Sequence, residues 1–325
     1  MSKAFRIHQT GWPEVMRWED VSVGEPGAGQ IRLRHTAVAV NYRDILIRSG
    51  AHTVPALPSG IGIESAGVID ALGPGVTGLT IGQRVACVAG PDCAYAEIRL
   101  APAARVVPLP PAIDERTATA MMIRGMTARY LLRETYAVQP GDTILIHAAA
   151  GGVGLIMCQW AKHLGATVIG TVGSRAKADI ARAHGCDHVI VHTEEDFAER
   201  VRTLTGGAGV PVVYDSIGKT TFERSATCLK KRGVLVSFGE ASGDPDPVPP
   251  RRLGQLGSIY LTHPSLGDYI TTRDALLTTA GDLFDMVGSG KVKVEINHSY
   301  ALKDAAQAHS DMEARRTTGS VVLIP

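Results

Sequence analysis

Short apolar runs separated by glycine and proline set the pattern of the first third of the chain. The runs 31–40 (IRLRHTAVAV), 66–72 (AGVIDAL) and 84–89 (RVACVA) are rich in β-branched residues and bounded by turn formers, which predicts strands. From Ile31 to Val107 this half reads as all-β. Near Asp114 the character changes. The stretch 114–136 (DERTATAMMIRGMTARYLLRETY) is rich in good helix formers and poor in β-branched residues, so a helical connector is expected there. Strand and helix patterns then alternate through 143–148, 153–165, 167–172, 175–185, 188–191, 212–217 and 233–238. Repeated strand–helix–strand units imply an α/β domain with a parallel sheet covered on both faces. The run 243–250 (GDPDPVPP) holds four prolines and two acids, which predicts a surface loop. A strand at 258–263, an amphipathic helix at 273–290, and strands around 292–296 and 319–325 complete the expected elements.

Composition narrows the classes. At 325 residues the chain is about twice the usual domain length, so two domains are expected. Hydrophobic residues at 45% and charged residues at 20% fit an ordinary globular protein. With 33 basic against 32 acidic side chains, no overall field draws nucleic acid or an anionic membrane. The five cysteines are odd in number and form no C-x-x-C pair, so neither a disulfide framework nor a zinc ribbon is indicated and a reducing cytoplasm fits best. Residues 1–10 lack the apolar core of a secretory signal. The uncharged stretch from Thr143 to Trp160 is broken by glycines and by His147, so it reads as strand, turn and helix rather than a membrane span.

That stretch carries the most informative chemistry. An apolar strand runs into Ala149, Gly151 and Gly154, spaced A-x-G-x-x-G, and then into a helix. This is the context a dinucleotide site requires: a bare backbone admits the pyrophosphate, and the helix N-terminus near Gly152 offers unpaired N–H donors. Coenzyme choice rests on the end of the second strand, where an NAD site would present an acid to the ribose 2'-hydroxyl. The chain has Gly173, Ser174, Arg175 and Lys177 there and no acid. Small and basic residues receive a 2'-phosphate through charge-assisted hydrogen bonds, so NADP(H) is favoured.

Around these residues the sequence resembles the zeta-crystallin-like NADPH:quinone oxidoreductases of the medium-chain dehydrogenase/reductase superfamily. The family signature is met by Gly141, Asp142, Leu145, Ala149, Ala150, Gly151, Gly152, Gly154, Gln159 and Lys162. Further blocks lie at 41–50, 58–69, 130–136, 212–218, 235–239, 258–266 and 300–309. The resemblance implies a GroES-like β-rich catalytic domain from residues 1–124 and 262–325, a Rossmann NADP(H)-binding domain at 125–261, a coenzyme cleft and a homodimer. It also implies that Asn41, Thr127, Gly151, Gly152 and Val153 lie along the nicotinamide and pyrophosphate. Ser216 and Phe238 would flank strand ends, and His263, Ser265 and Leu266 would reach the carboxamide side. Gly173, Ser174 and Lys177 match the 2'-phosphate pocket, completed by Arg315. Two departures bear on ligand choice: His192 stands where bacterial relatives place a tyrosine over the adenine, and Leu46 where an active-site tyrosine is common, with Tyr42 in place of a phenylalanine. The dimer is expected to form by pairing of 258–263 with its symmetry mate at the sheet edge.

Zinc-dependent members of the superfamily carry Cys, His-Glu and Cys ligands, whereas the matching places here hold Asn41 and Gly62, Ile63, Glu64. No metal is expected, which favours electron-poor acceptors over alcohols. The implied reaction is direct hydride transfer from NADPH to a quinone, with Asn41, Tyr42 or water serving the developing oxyanion. One alternative is reduction of an enone or enal. Another is a protein that binds NADPH or RNA with little turnover, against which the balanced charge speaks. Several residues have plainer expectations. His147 is expected as a hydrogen-bonded core residue, His184 and His188 at an exposed helix end and turn, and Met121 and Met122 as core fillers. Asp44 and Arg48, four apart, predict a local ion pair.

Overall fold

The computed structural model describes residues 1–53, 56–88 and 93–325; Ala89, the last residue of one expected strand, lies outside them. The chain divides into two compact units. The first comprises Met1–Ile123, Ile270–Gly288 and Val294–Pro325, the second Arg124–Tyr269 and Ser289–Lys293.

The first unit is β-rich. Its central strand, Gln30–Ala39, buries Ile31 and Leu33 on one face, as period-2 alternation requires. It pairs antiparallel with Glu64–Leu72 and with Ile98–Pro102. The final strand, Ser320–Ile324, joins the same sheet, with Val322 opposite Ala39 and Leu323 opposite Val38. Strands from the N-terminal third and from the C-terminal segment of the chain therefore build one sheet. A separate three-stranded sheet holds Ser2–Ile7 between Met16–Val21 and Ser59–Gly60. The strand expected around 292–296 instead begins at Ile296 and runs to Ala301, parallel to the last strand. The reason is local. The Gln159 side chain takes the place of a strand partner for Lys293, accepting from its N–H at 2.8 Å and donating to its carbonyl at 3.1 Å.

The second unit carries a six-stranded sheet, parallel throughout. Across the sheet the strands are His188–Val191, Thr167–Val172, Thr143–Ile146, Val210–Asp215, Leu229–Ser237 and Tyr260–Thr262. In chain order this is 3-2-1-4-5-6, the doubly wound arrangement with its switch point between strands 1 and 4. Strand 4 is buried along its whole length, as expected under two helical layers. The helix Glu115–Tyr130 precedes the sheet and buries Met121 and Met122 completely. It passes into one turn of π-helix, Leu131–Thr135. The proline-rich run stays irregular until Pro250, which starts a helix to Gln255; proline suits that first position because its missing N–H would have no partner there. Residues 263–269 remain with the second unit, because Tyr269 stacks on Tyr130 at 4.2 Å and its hydroxyl lies 2.9 Å from Thr135 Oγ1. The chain thus re-enters the first unit at Ile270 rather than at 262. Strand 6 lies at the sheet edge, with Tyr260 and Leu261 exposed.

Candidate functional site

Most of the second unit's sequence-predicted residues follow the carboxyl ends of its strands. Strand 1 leads into Ala148, held at φ +51°, and Gly151 N donates to Ala148 O at 2.8 Å. Gly151 is the N-cap of the helix Gly152–His163, whose first turn contains no acid. The N–H groups of Gly152 and Val153 therefore stand where no intrahelical carbonyl is available, beside a partial positive charge. Gly154 lets this corner close, since a Cβ there would lie 2.3 Å from Ala148 O. An anionic diphosphate fits the arrangement, because donors, dipole and bare backbone coincide with no competing carboxylate.

The remaining strand ends add the rest. After strand 2, Ser174 caps the helix Arg175–Ala183, its Oγ accepting from Lys177 N at 3.4 Å. After strand 3, His192 comes beside this turn: a Cβ on Gly173 would lie 3.5 Å from its Nε2. Ser216 follows strand 4 and Phe238 follows strand 5, tied together where Phe238 N donates to Asp215 O at 2.8 Å and Ala241 N to Ser216 O at 3.3 Å. Beyond strand 6, His263 Nε2 lies 3.2 Å from Glu240 Oε1, while Ser265 and Leu266 open the short helix Leu266–Tyr269. Thr127 is buried in the helix Glu115–Tyr130.

Sequence reasoning missed what holds these ends in place. Asp215 Oδ1 accepts from Ile217 N at 2.8 Å, Gly218 N at 3.1 Å and Thr221 Oγ1 at 2.9 Å, and its Oδ2 accepts from Ser225 Oγ at 2.7 Å. Ser225 Oγ meets His147 Nε2 at 2.9 Å, and His147 Nδ1 meets Thr171 Oγ1 at 2.8 Å. His147 is thus the satisfied core residue expected of it, and burial holds its pKa down. An acid at the end of a fully apolar strand, in the run VVYDSIG, was the available signal. His184 differs from expectation. It is buried at its helix end, with Nδ1 2.8 Å from Ile180 O, so it closes the helix rather than facing water.

In the first unit, Asn41 is the N-cap of the helix Tyr42–Ser49 and is buried. Its Nδ2 donates to Glu64 Oε2 at 2.9 Å, and Glu64 Oε1 accepts from Ile123 N at 2.7 Å. Asn41, which the sequence sets against a zinc-ligand cysteine of the metal-dependent members, is thus bonded to Glu64. Among the described residues no group of three His, Cys, Asp or Glu is placed to hold a metal ion. The expected ion pair of Asp44 with Arg48 is not formed. Arg48 reaches Glu313 instead, at 2.5 and 3.2 Å, because Asp44 turns back to cap the helix, accepting from Asn41 N at 2.9 Å, and also accepts from Tyr95 OH at 3.1 Å. Full burial pushes the Asp44 carboxyl up to about 7. Tyr42 is partly exposed; burial raises its phenol pKa, the nearby Glu313 carboxylate adds to this and Arg315 opposes it. Arg315 follows the helix Ala305–Glu313 at φ +58°, a left-handed position that usually favours glycine.

Family models match both units: "Alcohol dehydrogenase GroES-like domain" over residues 27–111 and "Zinc-binding dehydrogenase" over residues 152–280. A quinone oxidoreductase of Pseudomonas aeruginosa is 47% identical over 100% of both chains. The chain belongs to the quinone oxidoreductase family. The fold is that of the family as well: the crystal structure of Escherichia coli quinone oxidoreductase complexed with NADPH matches with a TM-score of 0.98 at 44% identity, covering 99% of this chain and all of that one. A 2-haloacrylate reductase of a Burkholderia species is 46% identical over 100% of this chain and 99% of its own. The family's fold class, a GroES-like N-terminal domain with a Rossmann-like six-stranded parallel sheet, is the one this chain has.

Proposed function

We propose that the chain reduces quinones with NADPH as the electron donor. The observation that carries this reading is the glycine corner at Gly151–Gly154 together with a second strand that ends in Gly173, Ser174 and Lys177 without an acid. It is supported by a 44% identical quinone oxidoreductase whose crystal structure holds NADPH. In this proposal Gly152 and Val153 N–H groups hold the pyrophosphate, and Ser174, Lys177 and Arg315 hold the 2'-phosphate, with His192 against the adenine. Thr127, Ser216, Phe238, His263, Ser265 and Leu266 line the nicotinamide half. Reduced nicotinamide supplies the hydride, and a proton from solvent completes the quinol. Asn41 and Tyr42 attend the acceptor oxygen; Glu64 holds the Asn41 amide in one orientation, which fixes the donors and acceptors it offers.

The test is coenzyme binding followed by turnover. NADPH should bind at least about tenfold more tightly than NADH, and Lys177→Ala should remove about 1–3 kcal/mol of that preference, as for a charged hydrogen bond. Equal affinities for the two coenzymes would refute the pocket.

The 46% identity to a 2-haloacrylate reductase favours a second reading, in which the acceptor is an activated alkene and the proton goes to carbon. NADPH oxidation with 1,4-benzoquinone, a naphthoquinone, an enal and 2-chloroacrylate side by side separates the two. The first reading expects the quinones to lead by kcat/KM. We also propose a homodimer joined at strand 6, on the ground that Tyr260 and Leu261 are 58% and 37% exposed on an open sheet edge. A monomer in sedimentation at micromolar concentration would refute it. The odd count of five cysteines supports a cytoplasmic setting.

A further inference from the structure

The second strand of the parallel sheet ends without an acid, yet the third strand delivers one to the same corner. Glu194 lies just past the strand His188–Val191 and receives Arg175, the first residue of the helix Arg175–Ala183. Arg175 Nε lies 3.0 and 3.1 Å from the two carboxylate oxygens, and Nη2 lies 3.0 Å from Oε2. The loop is held against the turn by Thr193 Oγ1, which donates to Gly173 O at 3.4 Å. Side-chain exposures of 84% for Arg175 and 46% for Glu194 mean that the pair adds little to stability and is inexpensive to open.

Its position gives it a different use. A guanidinium matches a phosphate with two parallel hydrogen bonds, and a carboxylate repels the same phosphate while accepting from a ribose hydroxyl. We propose that Arg175 and Glu194 form an exchangeable pair that sets the coenzyme preference. A 2'-phosphorylated adenosine takes the guanidinium from Glu194, whereas an adenosine with a free 2'-hydroxyl leaves the ion pair closed. This deepens the coenzyme reading above and rests on it. Glu194 is then a brake on the phosphorylated coenzyme, and Arg175 both the brake's counter-charge and the phosphate's partner.

The test is a set of dissociation constants for NADPH and NADH, measured by calorimetry on the wild-type protein, Arg175→Ala, Glu194→Gln and the double variant. Arg175→Ala should weaken NADPH about tenfold or more while NADH stays within about twofold. Glu194→Gln should tighten NADPH about threefold, because no ion pair must open. The double variant should recover part of the Arg175→Ala loss, since the repelling carboxylate is gone. Equal weakening of both coenzymes by Arg175→Ala, or a Glu194→Gln variant with unchanged NADPH affinity, would overturn the proposal. A wild-type protein that binds neither coenzyme would overturn the coenzyme reading itself.

Discussion

Each unit buries a chain of acid, hydroxyl and imidazole, and the two chains end differently. In the second unit Ser225 Oγ donates to Asp215 Oδ2 at 2.7 Å and meets His147 Nε2 at 2.9 Å, and Thr171 closes the other ring nitrogen at 2.8 Å. In the first, Tyr95 OH donates to Asp44 Oδ2 at 3.1 Å and meets His309 Nε2 at 2.9 Å. There the chain stops. His309 Nδ1, Asp44 Oδ1 and Arg48 Nε have no hydrogen-bond partner among the described residues. A closed chain fixes geometry, because each proton has one place to go; an open chain leaves charges that burial penalises. Asp215, fully buried with four donors, holds the turn that carries Ser216. Asp44, equally buried with two donors, has its pKa held at about 7, and burial together with the Arg48 charge holds that of His309 at about 3.

The contrast is broken most directly by truncating the two acids. Asp215→Ala strands four donors at once and should cost about 4–5 kcal/mol, against about 2 kcal/mol for Asp44→Ala. Equilibrium denaturation in urea measures both. NADPH binding should fall with Asp215→Ala as well, because the 216–218 turn loses its anchor. Equal costs at the two acids would show that the number of donors does not govern either site.

A titration sharpens the contrast. Burial raises the folded-state pKa of Asp44 from 3.8 to about 7, so its contribution to stability is fully present below the unfolded value and is lost as pH rises through about 7. Asp44→Asn removes that dependence. Stability of the wild type relative to Asp44→Asn should therefore decline by on the order of 3 kcal/mol between pH 4 and 7 and level off above. His309 and His35, both lowered to about 3 by burial, act in the opposite sense. Their contribution is present above about 6.5 and is lost as pH falls toward 3, so both variants should share that acid limb. A difference between wild type and Asp44→Asn that is flat from pH 4 to 8 would place the Asp44 carboxyl at an ordinary pKa.

The sequence carried the closed chain's neighbourhood better than the open chain's. Strand and helix periods, the glycine corner and the end of strand 2 are local features, and the elements they predict form at those places. So does the buried, bonded state of His147, which follows from an apolar strand entering a tight turn. The Asp44 and Arg48 expectation failed because helical spacing counts only neighbours on one element. Glu313 and Tyr95 come from 265 and 51 residues away in sequence. Nothing local announces them. Glu194 is hidden from a local reading for the same reason: the dinucleotide pattern points to the end of strand 2, while parallel pairing brings the end of strand 3 to that corner.

The smallest effect tests whether the open chain serves the fold alone. Tyr95→Phe deletes one hydroxyl and keeps the ring, which packs so closely over Gly62 that a Cβ there would lie 2.2 Å from it. Asp44 loses a donor that favours its charged form, and His309 loses the partner of its Nε2. The stability cost should be about 1–2 kcal/mol, less than a closed chain would lose, because both groups already lack one partner. The same deletion should move the Asp44 transition to higher pH, since the Tyr95 hydrogen bond lowers that pKa. Asn41 keeps its cap, because its N–H donates to Asp44 without help from Tyr95, so kcat/KM for the quinone should change by less than about twofold. A tenfold fall in kcat at unchanged stability would instead make the Asp44–Tyr95–His309 chain part of the machinery that sets Asn41 for reaction.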